Sequence, residues 1–266
     1  MNFLKNIILK IDNLIFQDKL TLFYSEKIHE KRLRRYMTSK YSYGFNCEYG
    51  KNRNSLLNKL SDKYGSDKGE VNSENNLYSW PSHTYADFYE LLFQLRRKDV
   101  KTLIECGLGT NNPELASTMG INAKPGGSLR LWCDYFPNAN IIGIDIDKDI
   151  LFNEERIDTY QCDQTSKSSI QNFVNQSGIK EGTIDIIIDD GLHEFHAGVS
   201  LFEGLKQYLS EDGFYIIEDI RRRNYIPFKK YFAKIKHKYT ARFVNLERPN
   251  LQVHDNRLII ITPSSQ

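Results

Sequence analysis

From position 85 onward, short apolar runs alternate with stretches in which apolar residues recur every three or four positions. The runs read as strands and the periodic stretches as helices. Helices are predicted at Tyr85 to Arg97, Ser128 to Phe136, Ser168 to Gln176 and Gly198 to Leu209. Strands are predicted at Thr102 to Cys106, Asn140 to Ile144, Ile157 to Cys162, Ile184 to Ile188 and Phe214 to Ile217, with a terminal pair at Arg242 to Leu246 and Leu258 to Thr262. Such alternation implies an α/β fold, a seven-stranded, mostly parallel sheet covered by helices on both faces.

Upstream the pattern changes. Phe3, Leu4, Ile7, Ile8, Ile11, Leu14 and Ile15 recur at helical spacing, and residues 1–50 read as a helical extension. Lys5, Lys10 and Asp12 interrupt the apolar run, which excludes a signal-peptide core and a membrane span. The helix is expected to pack on the body or on a second subunit, so a homo-oligomer is one expectation. Contact with a membrane surface is the alternative. The basic stretch from Lys27 to Arg35 reads as a solvated face. Residues 51–84 are polar and irregular, with Gly65, Gly69 and Pro81, and read as a connecting or lid-like region. The expected division is 1–84 for extension and lid, and 85–266 for the cofactor-binding domain.

Composition narrows the classes. The chain has 266 residues, 40% of them apolar, enough for one sizeable domain with an extension. A net charge of +2 gives no footprint for nucleic acid. The four cysteines form no CxxC pair, which fits a reducing, cytoplasmic setting.

The candidate chemistry sits where predicted strands end. Glu105-Cys106-Gly107-Leu108-Gly109 closes the first strand, and glycines there let backbone approach a ligand. The GxGxxG dinucleotide fingerprint fails, because position 112 is Asn. Asp145 ends the second strand, where a carboxylate can accept hydrogen bonds from ribose hydroxyls. Asp163 and Gln164 follow the third and can meet an adenine amino group. The next two strands end in Asp189-Asp190-Gly191-Leu192-His193 and Glu218-Asp219. Carboxylates converging from neighbouring strands repel one another, and oxygen ligands favour Mg²⁺ or a similarly hard cation. A cation there can acidify a hydroxyl, with His193 placed to take the proton. Arg221, Arg222 and Arg223 follow, as a solvated loop or as a clamp on an anionic substrate.

Taken in order, these motifs resemble a known group. Gly126-Gly127-Ser128-Leu129-Arg130-Leu131-Trp132, Tyr135-Phe136-Pro137, Gly143-Ile144-Asp145, Gln161-Cys162-Asp163-Gln164, Ile188 to His193 and Ile217-Glu218-Asp219-Ile220 are similar to segments of the metal-dependent macrolide-sugar O-methyltransferases. Tyr64-Gly65-Ser66-Asp67-Lys68-Gly69 and His83-Thr84-Tyr85 are similar to segments of bacterial methyltransferases acting on sugars and surface polysaccharides. The resemblance implies a Rossmann-like class I methyltransferase using S-adenosylmethionine. It implies Mg²⁺ on Asp190, Glu218 and Asp219 and a general base at His193, with Asp190 counted in the catalytic pair. Glu105, Gly107, Gly109, Asp145, Asp163, Gln164 and Asp189 are the expected cofactor contacts. The sequence departs from the family at Leu192, where serine is usual, and in the long loop Thr110 to Pro125.

The expected acceptor is a small molecule: a sugar, a nucleotide-linked sugar or a phosphorylated metabolite, in surface polysaccharide or capsule biosynthesis. A phosphate or phosphoramidate acceptor is the runner-up, supported by the three arginines. A nicotinamide-dependent oxidoreductase is disfavoured by Asn112, and a silent scaffold by the intact His193 and carboxylate set.

Overall fold

The computed structural model describes residues 44–48, 55–70, 72, 75–78, 80–247, 253 and 255–264. The amphipathic segment at 3–15 and the basic run at 27–35 lie outside them. The elements follow in chain order as β1 (Gly44–Glu48), α1 (Leu56–Tyr64), α2 (Tyr85–Phe93), β2 (Thr102–Cys106), α3 (Gly127–Tyr135), β3 (Asn140–Asp145) and β4 (Ile157–Gln161). Then come α4 (Lys167–Ser177), β5 (Ile184–Asp189), α5 (Phe195–Leu205), β6 (Leu209–Ile217), α6 (Arg222–Lys234), β7 (Tyr239–Glu247) and β8 (Arg257–Pro263).

The strands form one sheet in the order β1-β7-β8-β6-β5-β2-β3-β4. All pairings are parallel except those of β8, which runs antiparallel to both β6 and β7. The expected seven-stranded Rossmann-like sheet is β2 to β8. The eighth strand, β1, pairs with β7 and corrects the all-helical reading of residues 1–50. Gly-Phe-Asn-Cys-Glu is too short to show a period, and its strand state comes from a partner about 200 positions away.

A second correction falls within 51–84. Helix α1 forms there, with the Ser55 hydroxyl accepting from Asn58 N–H at its start and Gly65, at φ +68°, closing it. Its Leu57 and Leu60 join the core with Tyr89 and Phe93 of α2 and Trp132 of α3, against Ile186, Ile188 and Ile216 of the sheet. The alternate residues cover the other face. Tyr215 meets Phe202 of α5, and Phe243 meets Phe232 of α6. Each such large apolar side chain contributes about 1.5–3 kcal/mol on burial. This two-sided burial is why β5 carries Ile186, Ile187 and Ile188 in succession.

Register places the site. Ile144, Cys106, Asp189 and Ile217 are aligned across β3, β2, β5 and β6. One step further along the same edge come Asp145, Gly107, Asp190 and Glu218. Four strands therefore deliver the candidate residues in one row.

Candidate active site

The row begins with a close backbone approach. Gly107 has φ +95°, and a Cβ there would lie 2.1 Å from the Asp190 carbonyl oxygen. Only glycine lets β2 and β5 meet this way, with Asp190 N–H donating to Cys106 O at 2.9 Å. Beside it Asp145 is buried, and both its oxygens are oriented by backbone. Leu108 N–H donates to Oδ2 at 2.8 Å and Asp147 N–H to Oδ1 at 2.9 Å. Burial pushes the Asp145 carboxyl above its usual range, against those hydrogen bonds.

A cavity of about 180 Å³ runs from Asp145 over Ile146 and Cys162 to Asp163 and Leu192. Ile146 is 48% exposed, an apolar shelf between two acids. The Gln164 side chain is clipped inside its rim: the amide donates to Asp189 Oδ1 at 2.9 Å, and its oxygen accepts from Leu192 N–H at 2.6 Å. Two other expected cofactor contacts face inward. Glu105 is fully buried between the Trp132 indole N–H, at 3.1 Å, and Lys68 Nζ, at 3.0 Å. Asp189 is 3% exposed, and burial pushes its carboxyl up to about 6.

A larger cavity of about 390 Å³ joins Gly107, Gly109 and Asp145 to Asp190, His193 and Asp219, with Trp80, Pro81, Met119 and Val253 around it. His193 Nε2 lies 3.2 Å from Asp190 Oδ1, and its Nδ1 lies 3.7 Å from Asp219 Oδ2. Both His193 (φ 58°) and Asp219 (φ 53°) hold the left-handed backbone that non-glycine residues avoid. Burial opposes the imidazolium, but Asp219 and Asp190 outweigh it and push His193 up to about 9. That balance holds only while the two carboxylates face no other cation.

A lysine closes the row from behind. Lys68 Nζ lies 2.7 Å from Asp190 Oδ2, 2.5 Å from Glu218 Oε2 and 3.0 Å from Glu105 Oε1, and the residue is 2% exposed. Against the cost of burial, these three carboxylates keep the ammonium charged. Burial, with Asp190 and Glu105, pushes Glu218 well up, because one ammonium cannot balance three buried carboxylates. Glu218 also accepts from the Tyr89 hydroxyl. Among the described residues, two groups bring ligand atoms within 4.8 Å of one another: Asp190, His193 and Asp219, and His83, Asp219 and Asp255. Glu218 stands beside the first group with both oxygens engaged.

Of the three arginines, Arg221 lines the larger cavity. It reaches toward Glu194 at 3.5 Å, while the more exposed Arg223 pairs with the same carboxylate. Arg222 opens α6. Sequence reasoning assigned no role to Lys68, His83, Tyr85 or Tyr89, although two of the quoted motifs contain the first three.

Among solved structures, this one aligns with a methyltransferase from the mycinamycin biosynthetic pathway in complex with Mg and SAH. The TM-score is 0.55 at 24% identity, over 79% of this chain and 55% of that one. The chain has a Rossmann-like methyltransferase fold. Curated relatives of this methyltransferase-like chain include 8-demethyl-8-alpha-L-rhamnosyl tetracenomycin-C 2'-O-methyltransferase of Streptomyces olivaceus, 32% identical over 162 residues, or 61% of this chain and 37% of the relative. Mycinamicin VI 2''-O-methyltransferase of Micromonospora griseorubida is also 32% identical over 162 residues, 59% of this chain and 37% of the relative. The chain thus spans little more than a third of the length of these relatives. No family model matches it.

Proposed function

We propose that this chain is an S-adenosylmethionine-dependent O-methyltransferase that methylates a sugar hydroxyl with the help of a divalent cation. The observation that carries the reading is the single cavity joining Gly107, Gly109 and Asp145 to Asp190, His193 and Asp219. The similarity to two sugar O-methyltransferases supports it.

The residues present fit both groups. Asp145, fixed by two backbone donors, keeps lone pairs for ribose hydroxyls, and Ile146, Asp163 and Leu192 offer an apolar slot with an acid at its end for adenine. For a cation the fit is electrostatic. Asp67, Asp190, Asp219 and Asp255 all line the larger cavity, against Arg221 and the two histidines. Asp190 and Asp219 would hold the ion, with Glu218 beside them. When bound, S-adenosylmethionine supplies a methyl group on a sulfonium, and the divalent ion supplies positive charge that acidifies a hydroxyl. The chain's own part is to orient the acceptor in the cavity and to take its proton at His193.

The acidic lining favours a neutral sugar over a phosphate-type acceptor, since Arg221 alone of the three arginines faces the cavity. Trp80 and Pro81 supply an apolar wall against which a sugar ring can lie. Within this reading we assign the acceptor to a surface polysaccharide or capsule sugar, on the likeness of the Tyr64–Gly69 and His83–Tyr85 segments.

The cofactor half is tested by calorimetry. S-Adenosylhomocysteine is expected to bind the wild type, and Asp145→Ala is expected to lose about 1–3 kcal/mol of that binding, the scale of a buried polar contact left unmade. Unchanged affinity in the variant overturns the assignment.

A further inference from the structure

Asp145 is oriented by the backbone of its own edge loops, but Asp190, Glu218 and Asp219 are not. Four side chains from the segment upstream of β2 orient those three. The Tyr85 hydroxyl grips Asp219 at both ends, accepting from its backbone N–H at 3.2 Å and donating to its Oδ1 at 2.7 Å. That grip holds a residue whose backbone sits at φ 53°. His83 Nε2 lies 3.3 Å from the same Oδ1 and 3.3 Å from Asp255 Oδ1, and its ring stacks on Tyr85 at 4.7 Å. Lys68 holds Asp190 through Oδ2, and the Tyr89 hydroxyl holds Glu218, which in turn holds Lys68. All four side chains are buried. The side-chain oxygens left facing His193 are Asp190 Oδ1 and Asp219 Oδ2.

We propose that Lys68, His83, Tyr85 and Tyr89 are positioning residues for the cation carboxylates, so that the affinity of the site for a divalent ion is set by the segment from Ser66 to Tyr89 as much as by the strand ends. The inference rests on the metal reading above and deepens it. Physically, Asp190 and Asp219, each fixed by an outer hydrogen bond, present a free oxygen without further loss of rotamer entropy, whereas a loose carboxylate must be ordered when the ion arrives; Tyr89 acts one step back, through the Glu218 that holds Lys68.

Tyr85→Phe and Tyr89→Phe each remove a single oxygen and keep the ring in the core. Mn²⁺ binding, read by electron paramagnetic resonance of the free ion, is expected to weaken by about 10–100-fold in each variant. The affinity for S-adenosylhomocysteine, measured alongside, is expected to stay near that of the wild type for Tyr89→Phe, and the thermal midpoint to fall by a few degrees for the lost hydrogen bond to buried Glu218, with the variant still folded. A folded variant pair that binds Mn²⁺ as tightly as the wild type overturns the proposal and leaves the metal reading standing. A wild type that binds no Mn²⁺ overturns both.

Discussion

His193→Ala is expected to lower kcat by roughly 10²–10⁴-fold, the usual scale for loss of a general base, while S-adenosylhomocysteine binding is retained. The imidazole lines the larger cavity and not the slot from Asp145 to Asp163, so its loss is expected to remove proton transfer and leave the cofactor contacts. A sugar hydroxyl is scarcely ionised near neutral pH, so its oxygen becomes a good nucleophile only as the proton leaves. Its backbone is also fixed, with Asn224 donating to the His193 carbonyl at 2.9 Å. Turnover is likewise expected to vanish in excess EDTA and return with Mg²⁺. Steady-state kinetics decides between acceptors. Near-normal kcat in His193→Ala points to an acceptor that is already ionised, and full activity in EDTA overturns the metal half of the account.

Lys68→Met is expected to destabilise the fold by about 3–5 kcal/mol, because it leaves buried carboxylates without their counter-charge. The methylene stem is replaced with similar volume, so the effect is electrostatic and not a cavity. The residue is 2% exposed, and two of its three partners, Glu105 and Glu218, are as deeply buried. A surface pair sets the scale. Lys63 and Asp134 approach to 2.8 Å, but with 57% and 40% exposure solvent screens them, and breaking the pair is expected to change stability far less. Urea unfolding of Lys68→Met and Lys63→Met checks the contrast. Equal, small losses would mean that Glu105, Asp190 and Glu218 carry no net charge needing Lys68.

The parallel sheet was legible because burial on both faces leaves apolar runs, and the β-branched Ile186, Ile187 and Ile188, ending at two acids and a glycine, read as such a strand. Strand ends were legible for the same reason, since the first acid after such a run marks the carboxyl edge, as at Asp145 and Asp189. Which way each acid points was not. Glu105 still lies inside β2 and turns into the core toward Trp132 and Lys68, whereas Gly107 lies beyond the strand's end, at the cavity. Gln164 and Asp189 are taken up by each other. The arginine run divides where α6 begins, and no local pattern says that Arg221 falls on the cavity side of that boundary. Lys68 meets Asp190, and His83 and Tyr85 meet Asp219, across more than 120 positions of chain, a tertiary fact that hydrophobic period does not encode. The strand at Gly44–Glu48 was hidden for the same reason.

The central claim is that the cofactor and the cation lie side by side, in two cavities that share Gly107 and Asp145. It is tested most directly by nuclear magnetic resonance of S-adenosylhomocysteine in the presence of the protein and a trace of Mn²⁺. The account predicts paramagnetic broadening of the methylene protons flanking the sulfur, stronger than that of the adenine protons, because Asp190 and Asp219 lie beyond Gly107 and away from Asp163. Bound Mn²⁺ that leaves the sulfur-flanking protons sharp, or broadens the adenine protons more, would contradict it.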